Sequence, residues 1–422
     1  MLKDYEGNLI PKYPDIVGDG VSDDTEALQG IIDTYENVIL PPGLHIKITD
    51  SINIDTADSK LFDGGNSEII ISGDFPAFVI SGSIVSPMTA TPVSLNSQII
   101  NDEGSFEFKN IKIRSNDSTT GTGIEIDSCF KTNVRDCYIH NVKTGIHFVG
   151  RSRDLTIEGN QIYACWNYGL HFEDVNLHQL NVFGNHISYC LKCVFLDTPN
   201  SMANLQFVGN DIEVSNYPTS PLDEEDFECI CIDSGDGLDG ILQEIVFSGN
   251  TIQGHSRNNV MIEINGGSAR FIRLLSFTGN HISNCKKSLM KLTRVHNATI
   301  QGNTFANAGE YTIEMVNYCE KINITGNDSD SAGSTNGGFI KGTGEIRRLV
   351  VVGNESNTSI TDPINIDCSI LSRLVFANNL IDGTNTSVKI TGTTTAKLLI
   401  GGNVCESGSY TIAPGATTYN NV

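Results

Sequence analysis

IEGNQI (157–162) is the first of ten related phrases, and its reading decides the fold. VFGNHI (182–187), FVGNDI (207–212), FSGNTI (247–252), FTGNHI (277–282) and IQGNTF (300–305) follow it, then ITGNDS (324–329), VVGNES (351–356), FANNLI (376–381) and IGGNVC (400–405). Each is a short apolar run, then Gly-Asn or Asn-Asn, and usually an apolar residue two positions on. The asparagines Asn160, Asn185, Asn210, Asn250, Asn280, Asn303, Asn327, Asn354, Asn379 and Asn403 are separated by 25, 25, 40, 30, 23, 24, 27, 25 and 24 residues. A recurring interval of this size marks a solenoid, in which each repeat buries its apolar face against its neighbours.

Between the asparagines lie three short runs per coil with alternating or continuous β-branched and aromatic character, as in DLTIEGN, QIYAC and GLHFED. They are separated by Gly, Asn, Asp or Ser and carry no helical period, so the solenoid is all-β. Strands that recur once per coil must stack in parallel, ~4.8 Å apart. The asparagine is expected at the bend, tolerating a left-handed backbone and passing its amide to the coil above, a structural and not a catalytic duty.

The 422 residues exceed a single globular core, but a solenoid extends its core along an axis, so one long domain is expected. Lys and Arg number 27 against 50 Asp and Glu, a net charge of −23 that argues against nucleic acid or an anionic membrane as direct partner. Eleven cysteines cannot all pair within the chain. Cys165, Cys190 and Cys285 each follow by three residues the apolar residue after a Gly-Asn, which reads as an internal column of small buried thiols in a reducing cytoplasm. No zinc spacing is present. The start, MLKDYEGNLIPKY, reads as no signal peptide, and no run is apolar enough to span a membrane.

In chain order, 1–14 reads as a polar arm, 15–48 as a capping helix with the first strands, and 49–422 as the coils, with 86–104 an excursion loop. In the second segment Asp23 and Glu26 have capping-box spacing, and Leu28, Ile31, Ile32 and Tyr35 form a helical stripe fit to cover the open first coil. GDGVSDDTEALQ followed by VILPPGLHIKI resembles the opening of the pectate-lyase-3 group of proteins. That resemblance implies a right-handed single-stranded parallel β-helix with an N-terminal capping α-helix, the fold of phage tailspikes, neck appendages and several polysaccharide-degrading enzymes. It further implies a parallel homotrimer on a virion, joined to other virion proteins through the N-terminus. A bacterial cell-wall or capsular polymer, wall teichoic acid or polysaccharide, is the partner it implies.

Aligning the strand of form Gly-apolar-x-apolar-acid predicts two outward columns. The central one holds Glu125, His147, His171, Phe195, Cys231, Glu263, Lys291 and Glu314; the closing one holds Asp127, Val149, Glu173, Asp197, Asp233, Asn265 and Thr293. Glu173, Asp197 and Asp233 therefore fall on successive coils, where neighbouring carboxylates ~5 Å apart suit acid catalysis of glycoside cleavage. The alternative is that acids at strand ends are ordinary turn formers. The long interval from Asn210 to Asn250 places extensions, 214–228 and 234–242, on both sides of the strand ending at Asp233. Insertions on one face of a solenoid build binding walls. Catalytic candidates are Glu173, Asp197, Asp233 and His171; substrate-binding candidates are His147, Trp166, Tyr168, Glu263 and Asp236. His147 and His171 are a proton shuttle or incidental surface residues, and the rings of Trp166 and Tyr168 are sugar platforms or edge packing. No metal site is assigned; the run Asp223, Glu224, Glu225 and Asp226 is a solvated tip or, with Asp236 or Asp239, a Ca²⁺ site.

Four readings remain: a depolymerase, a receptor-binding adhesin without catalysis, a polysaccharide lyase using Ca²⁺ with Lys291 or Arg153 as base, and a purely structural spike segment that binds no polymer.

Overall fold

In a computed structural model of the chain, the glycine of each phrase takes the left-handed bend and the asparagine after it turns inward. Gly159, Gly184, Gly249 and Gly279 have φ between +62° and +65°. Where the phrase reads FANN, Asn378 holds that place at φ +55°. The ladder asparagines themselves do not, which corrects the expectation that they make the bend. The two tasks are divided because a Cβ at Gly184 or Gly279 would meet nothing within 4 Å, whereas the ladder residue needs its side chain inside.

All residues are described except 1, 4–8, 11–14, 83–104, 198–200, 215–227, 236–241, 256–259, 268–270, 331–337, 359–361, 383–386, 406–408, 413–416 and 420–422. The loop expected over 86–104 lies outside the described residues, as do most of the two extensions around Asp233. The chain divides into two compact units, Met1–Gln206 and Phe207–Val422, each a stack of parallel coils.

In the first unit, strand Leu2–Lys3 pairs antiparallel with Leu9–Ile10. Helix Thr25–Ile32 follows and buries Leu28, Ile31 and Ile32. Tyr35, expected on that stripe, is 48% exposed. The capping box does not form. Asp24 is the N-cap, and its carboxylate is drawn away to accept the Val17 and Gly18 N–H groups at 2.7 and 3.0 Å. Asp23 binds Thr25 and Thr49 instead. The helix seals the strand Ile52–Asp55: Gln29 Nε2 donates to Asn53 O and Gln29 Oε1 accepts from Asn53 N, as a neighbouring strand would.

Above it the coils are held by ladders. Asn185 Oδ1 accepts both the main-chain N–H and the amide of Asn160, at 2.9 and 3.0 Å. In the second unit the same chain of bonds runs from Asn210 through Asn250, Asn280, Asn303, Asn327, Asn354 and Asn379 to Asn403. Each of these asparagines is at most 2% exposed, and a buried amide is tolerated only when bonded. Inside, aromatic rings stack coil on coil: Phe148 on Phe172 at 4.3 Å in the first unit, Phe247 on Phe277 at 4.7 Å in the second. Truncating such a ring to alanine costs about 3–5 kcal/mol. All eleven cysteines are free thiols; Cys165, Cys190 and Cys285 are buried as expected. Burial pushes the Cys285 thiol up to about 12, so it packs as a small apolar group. Among the described residues no helix is long and apolar enough to cross a membrane.

Candidate functional site

Four strands of the first unit carry the outward column. Thr122–Asp127, Thr144–Val149, Tyr168–Glu173 and Lys192–Asp197 pair in parallel with Glu125, His147, His171 and Phe195 in register. Their flanking residues point into the core: Ile124 and Ile126, Ile146 and Phe148, Leu170 and Phe172, Val194 and Leu196 are at most 1% exposed. Side-chain alternation thus aims the four between them outward, one per coil. Glu173 and Asp197, which close their strands, are also in register and both exposed.

His147 sits between two acids. Its Nδ1 lies 3.1 Å from Glu125 Oε2 and its Nε2 lies 3.1 Å from Glu173 Oε2. A neutral imidazole has one N–H, so both contacts become hydrogen bonds only when the line Glu125–His147–Glu173 holds a second proton, on His147 or on a carboxyl group. Glu125 is the inner member, its side chain 25% exposed, and Glu173 the outer one at 58%.

The neighbouring coils add a ring platform. His171 stacks between His147 and Phe195, centroids 5.0 and 5.3 Å away. Tyr168 leans on both His171 and Phe195, at 4.3 and 5.0 Å, and Lys192 Nζ stands 4.7 Å from the Phe195 ring. Burial, and then the nearby His147, push His171 down to about 4, so it is neutral at physiological pH. Trp166 is half-buried in the turn before the His171 strand.

The remaining candidates are engaged elsewhere or lie outside the described residues. Asp233, in the second unit, accepts from Gly235 N at 2.8 Å and from Asn265 Nδ2 at 3.2 Å, the bonding of a turn former. Glu263 is paired with Lys291 Nζ at 2.7 Å. Asp236, Asp239 and the acidic run 223–226 lie outside the described residues. Of the two lyase bases, Lys291 is held by Glu263, and Arg153 is 5% exposed with its guanidinium bonded to Ser152 O and to Asn176.

One donor cluster was not foreseen. His147, His171 and Glu173 each offer a ligand atom, all within 4.8 Å of one another. Two imidazoles and a carboxylate suit a transition ion rather than Ca²⁺. Glu125 and Phe195 were also left out of the predicted site, although the column alignment had already placed them beside His147 and His171.

These features define a class: a parallel β-helix that displays polar and aromatic side chains in rows on an outer sheet face. A family model described as right handed beta helix region matches residues 45–212 and 79–269, more than half the chain. The chain belongs to that family.

No curated protein matches it by sequence. Among solved structures, the catalytic unit of a GH87 alpha-1,3-glucanase from Streptomyces thermodiastaticus is 16% identical with a TM-score of 0.51, over 96% of this chain and 67% of that one. DFA-IIIase from Arthrobacter chlorophenolicus is 12% identical with a TM-score of 0.55, over 82% and 93%. The enzymatically active domain of bacteriophage CBA120 tailspike protein 2 is 10% identical with a TM-score of 0.43, and the chain spans 46% of its length. These likenesses are of fold alone.

Proposed function

We propose that the protein binds a bacterial surface polymer, capsular polysaccharide or wall teichoic acid, along the row from Glu125 to Phe195 and cleaves glycosidic bonds in it by acid–base catalysis. The observation that carries this reading is the Glu125–His147–Glu173 line, whose two 3.1 Å contacts have room for a shared proton and which ends in an exposed carboxyl group. Glu173 is the acid: it gives its proton to the bridging oxygen as the bond from that oxygen to the anomeric carbon breaks. His147 resupplies it from the inner side, and Glu125 holds His147 in place. Asp197, in register one coil on, is the partner carboxylate. Adjacent coils set the two acids ~4.8 Å apart at the backbone, close to the spacing at which the second carboxylate attacks the anomeric carbon and water then releases the sugar with retention. The ring platform of Tyr168 and Phe195 receives a sugar face. Asp233, with both oxygens engaged, is assigned to the turn.

The resemblance of GDGVSDDTEALQ to pectate-lyase-3 openings supports a tailspike or neck appendage acting as a homotrimer on a virion, attached through residues 1–14. The fold shared with the glucanase and DFA-IIIase is compatible with carbohydrate chemistry. The test is to incubate the protein with capsular polysaccharide and, separately, with wall teichoic acid, and to size the products. Shortened polymer with wild type and intact, still-bound polymer with Glu173→Gln is the expected result. Tight binding without shortening by wild type would make the protein an adhesin.

A further inference from the structure

The second unit carries a row of cations that its own acids leave largely unneutralised. Leu275, Ala298, Ile322, Leu349 and Leu374 form a buried row, paired coil to coil. The residues just before them are Leu274, Asn297, Lys321, Arg348 and Arg373. Three consecutive coils therefore present a cation at the same place, ~4.8 Å apart, with Arg348 and Arg373 directly paired in register.

Like charges opposite one another on neighbouring strands repel, and the same unit avoids this elsewhere. Glu263, Lys291, Glu314 and Lys341 alternate in sign along their column, with Lys291 2.7 Å from Glu263 and Lys341 2.8 Å from Glu314. In the cation row, Lys321 and Arg373 have no ion-pair partner among the described residues. Arg348 reaches one carboxylate, Glu320, at 4.0 Å; that acid is shared with His296 at 3.6 Å and with the Tyr318 hydroxyl at 2.7 Å. In a chain of net charge −23, three stacked cations so poorly matched point to anions from outside.

The row borders a groove of about 620 Å³. Left-handed backbone at Leu274, Asn297 and Lys321, φ +54°, +66° and +58°, makes the bend that hollows it. Its other wall bears Asn323, Val350 and Val375. Guanidinium groups match carboxylate and phosphate oxygens, amides match hydroxyls, and the valines offer a surface for the apolar face of a sugar ring. No aromatic side chain lines the groove among the described residues, so it lacks the stacking platform on which single-stranded nucleic acid is held.

We propose that this groove binds an acidic polysaccharide laid across successive coils, its carboxylate or phosphate groups against Lys321, Arg348 and Arg373. The site goes beyond the cleavage reading and stands whether or not Glu173 is an acid.

Four probes test it by calorimetric titration of the full chain over a range of salt: polygalacturonate, poly(glycerol phosphate), neutral dextran and a short DNA duplex. Wild type is expected to bind at least one acidic glycan and not dextran, with affinity falling as salt rises. Binding of polygalacturonate alone identifies carboxylate as the recognised group, and of poly(glycerol phosphate) alone, phosphate. Arg348→Gln with Arg373→Gln is expected to bind roughly tenfold more weakly, and each cation removed should lower the logarithmic salt slope by about 1. Arg373→Gln alone, an exposed substitution, gives the same direction if the double variant folds poorly. Absence of binding to both acidic glycans, undiminished binding by the variants, or DNA bound as tightly as the glycans would overturn the assignment.

Discussion

The imidazole of His171 lies flat against that of His147, centroids 5.0 Å apart and planes 12° apart. The two rings have different duties because they have different surroundings. His147 is gripped at both nitrogens by carboxylates, while His171 is packed among rings and only 9% exposed. A positive charge on His171 meets both poor solvation and the neighbouring imidazole.

The pH dependence of stability follows from His171. Its folded value of about 4 lies below the ordinary histidine value of 6.5, so between these limits the unfolded chain binds more protons. Stability is full above about pH 6.5 and falls as pH drops toward 4, by at most ~3 kcal/mol from this group. His171→Phe, which continues the Phe195 stack, should shrink the drop in melting temperature between pH 7 and pH 4.5. An unchanged drop would refute the neutral, packed histidine.

Catalysis should separate from stability at the outer acids. Glu173→Gln and Asp197→Asn are expected to lower depolymerisation by about 10²–10⁴-fold and to leave the melting temperature nearly unchanged, because both residues are exposed. Glu125→Gln, at the inner end of the row where it contacts His147, should instead shift the pH profile of the rate. Product sizing across pH distinguishes the two patterns.

The asparagine ladder can be tested at Asn280. Removing its amide takes a partner from Phe247 O, from the main-chain N–H of Asn250 and from one hydrogen of the Asn250 amide, whose other bond, to Phe207 O, remains. With buried groups costing about 1–3 kcal/mol each when unpaired, Asn280→Ala should destabilise by roughly 3 kcal/mol or more. Asn280→Asp keeps the shape but cannot donate to Phe247 O and buries a charge, so it should be no better. Denaturant unfolding of the two variants measures both.

Two glycines of the first unit should be destabilised by a side chain to different degrees. At Gly184 the backbone is left-handed and the space is open, so Ala costs about 1–2 kcal/mol while Asn, the residue the chain itself uses at 378, costs less. At Gly145 a Cβ would stand 2.5 Å from Gly169 O and 2.6 Å from the Ile162 side chain. Gly145→Ala should therefore destabilise well beyond Gly184→Ala in the same unfolding measurement.

The winding of this protein was readable from its residues. The intervals between Asn160 and Asn403 declared a coil, and the Gly-apolar-x-apolar-acid alignment placed Glu125, His147, His171 and Phe195 in the row they occupy. The capping box at Asp23 was misread because Asp24 could serve either as cap or as an anchor for residues 17 and 18, and local spacing does not choose. The cation row was overlooked although its signal was present: Lys321, Arg348 and Arg373 each stand six residues before a ladder asparagine.

Register could be deduced from the sequence because backbone pairing acts at fixed intervals along the chain. Whether Glu173 reaches back to His147, and whether an acid comes close enough to neutralise Arg373, depends on rotamers and burial. Those arise only when coils stack, so the tertiary structure alone decided which outward side chains became partners and which were left to meet a ligand.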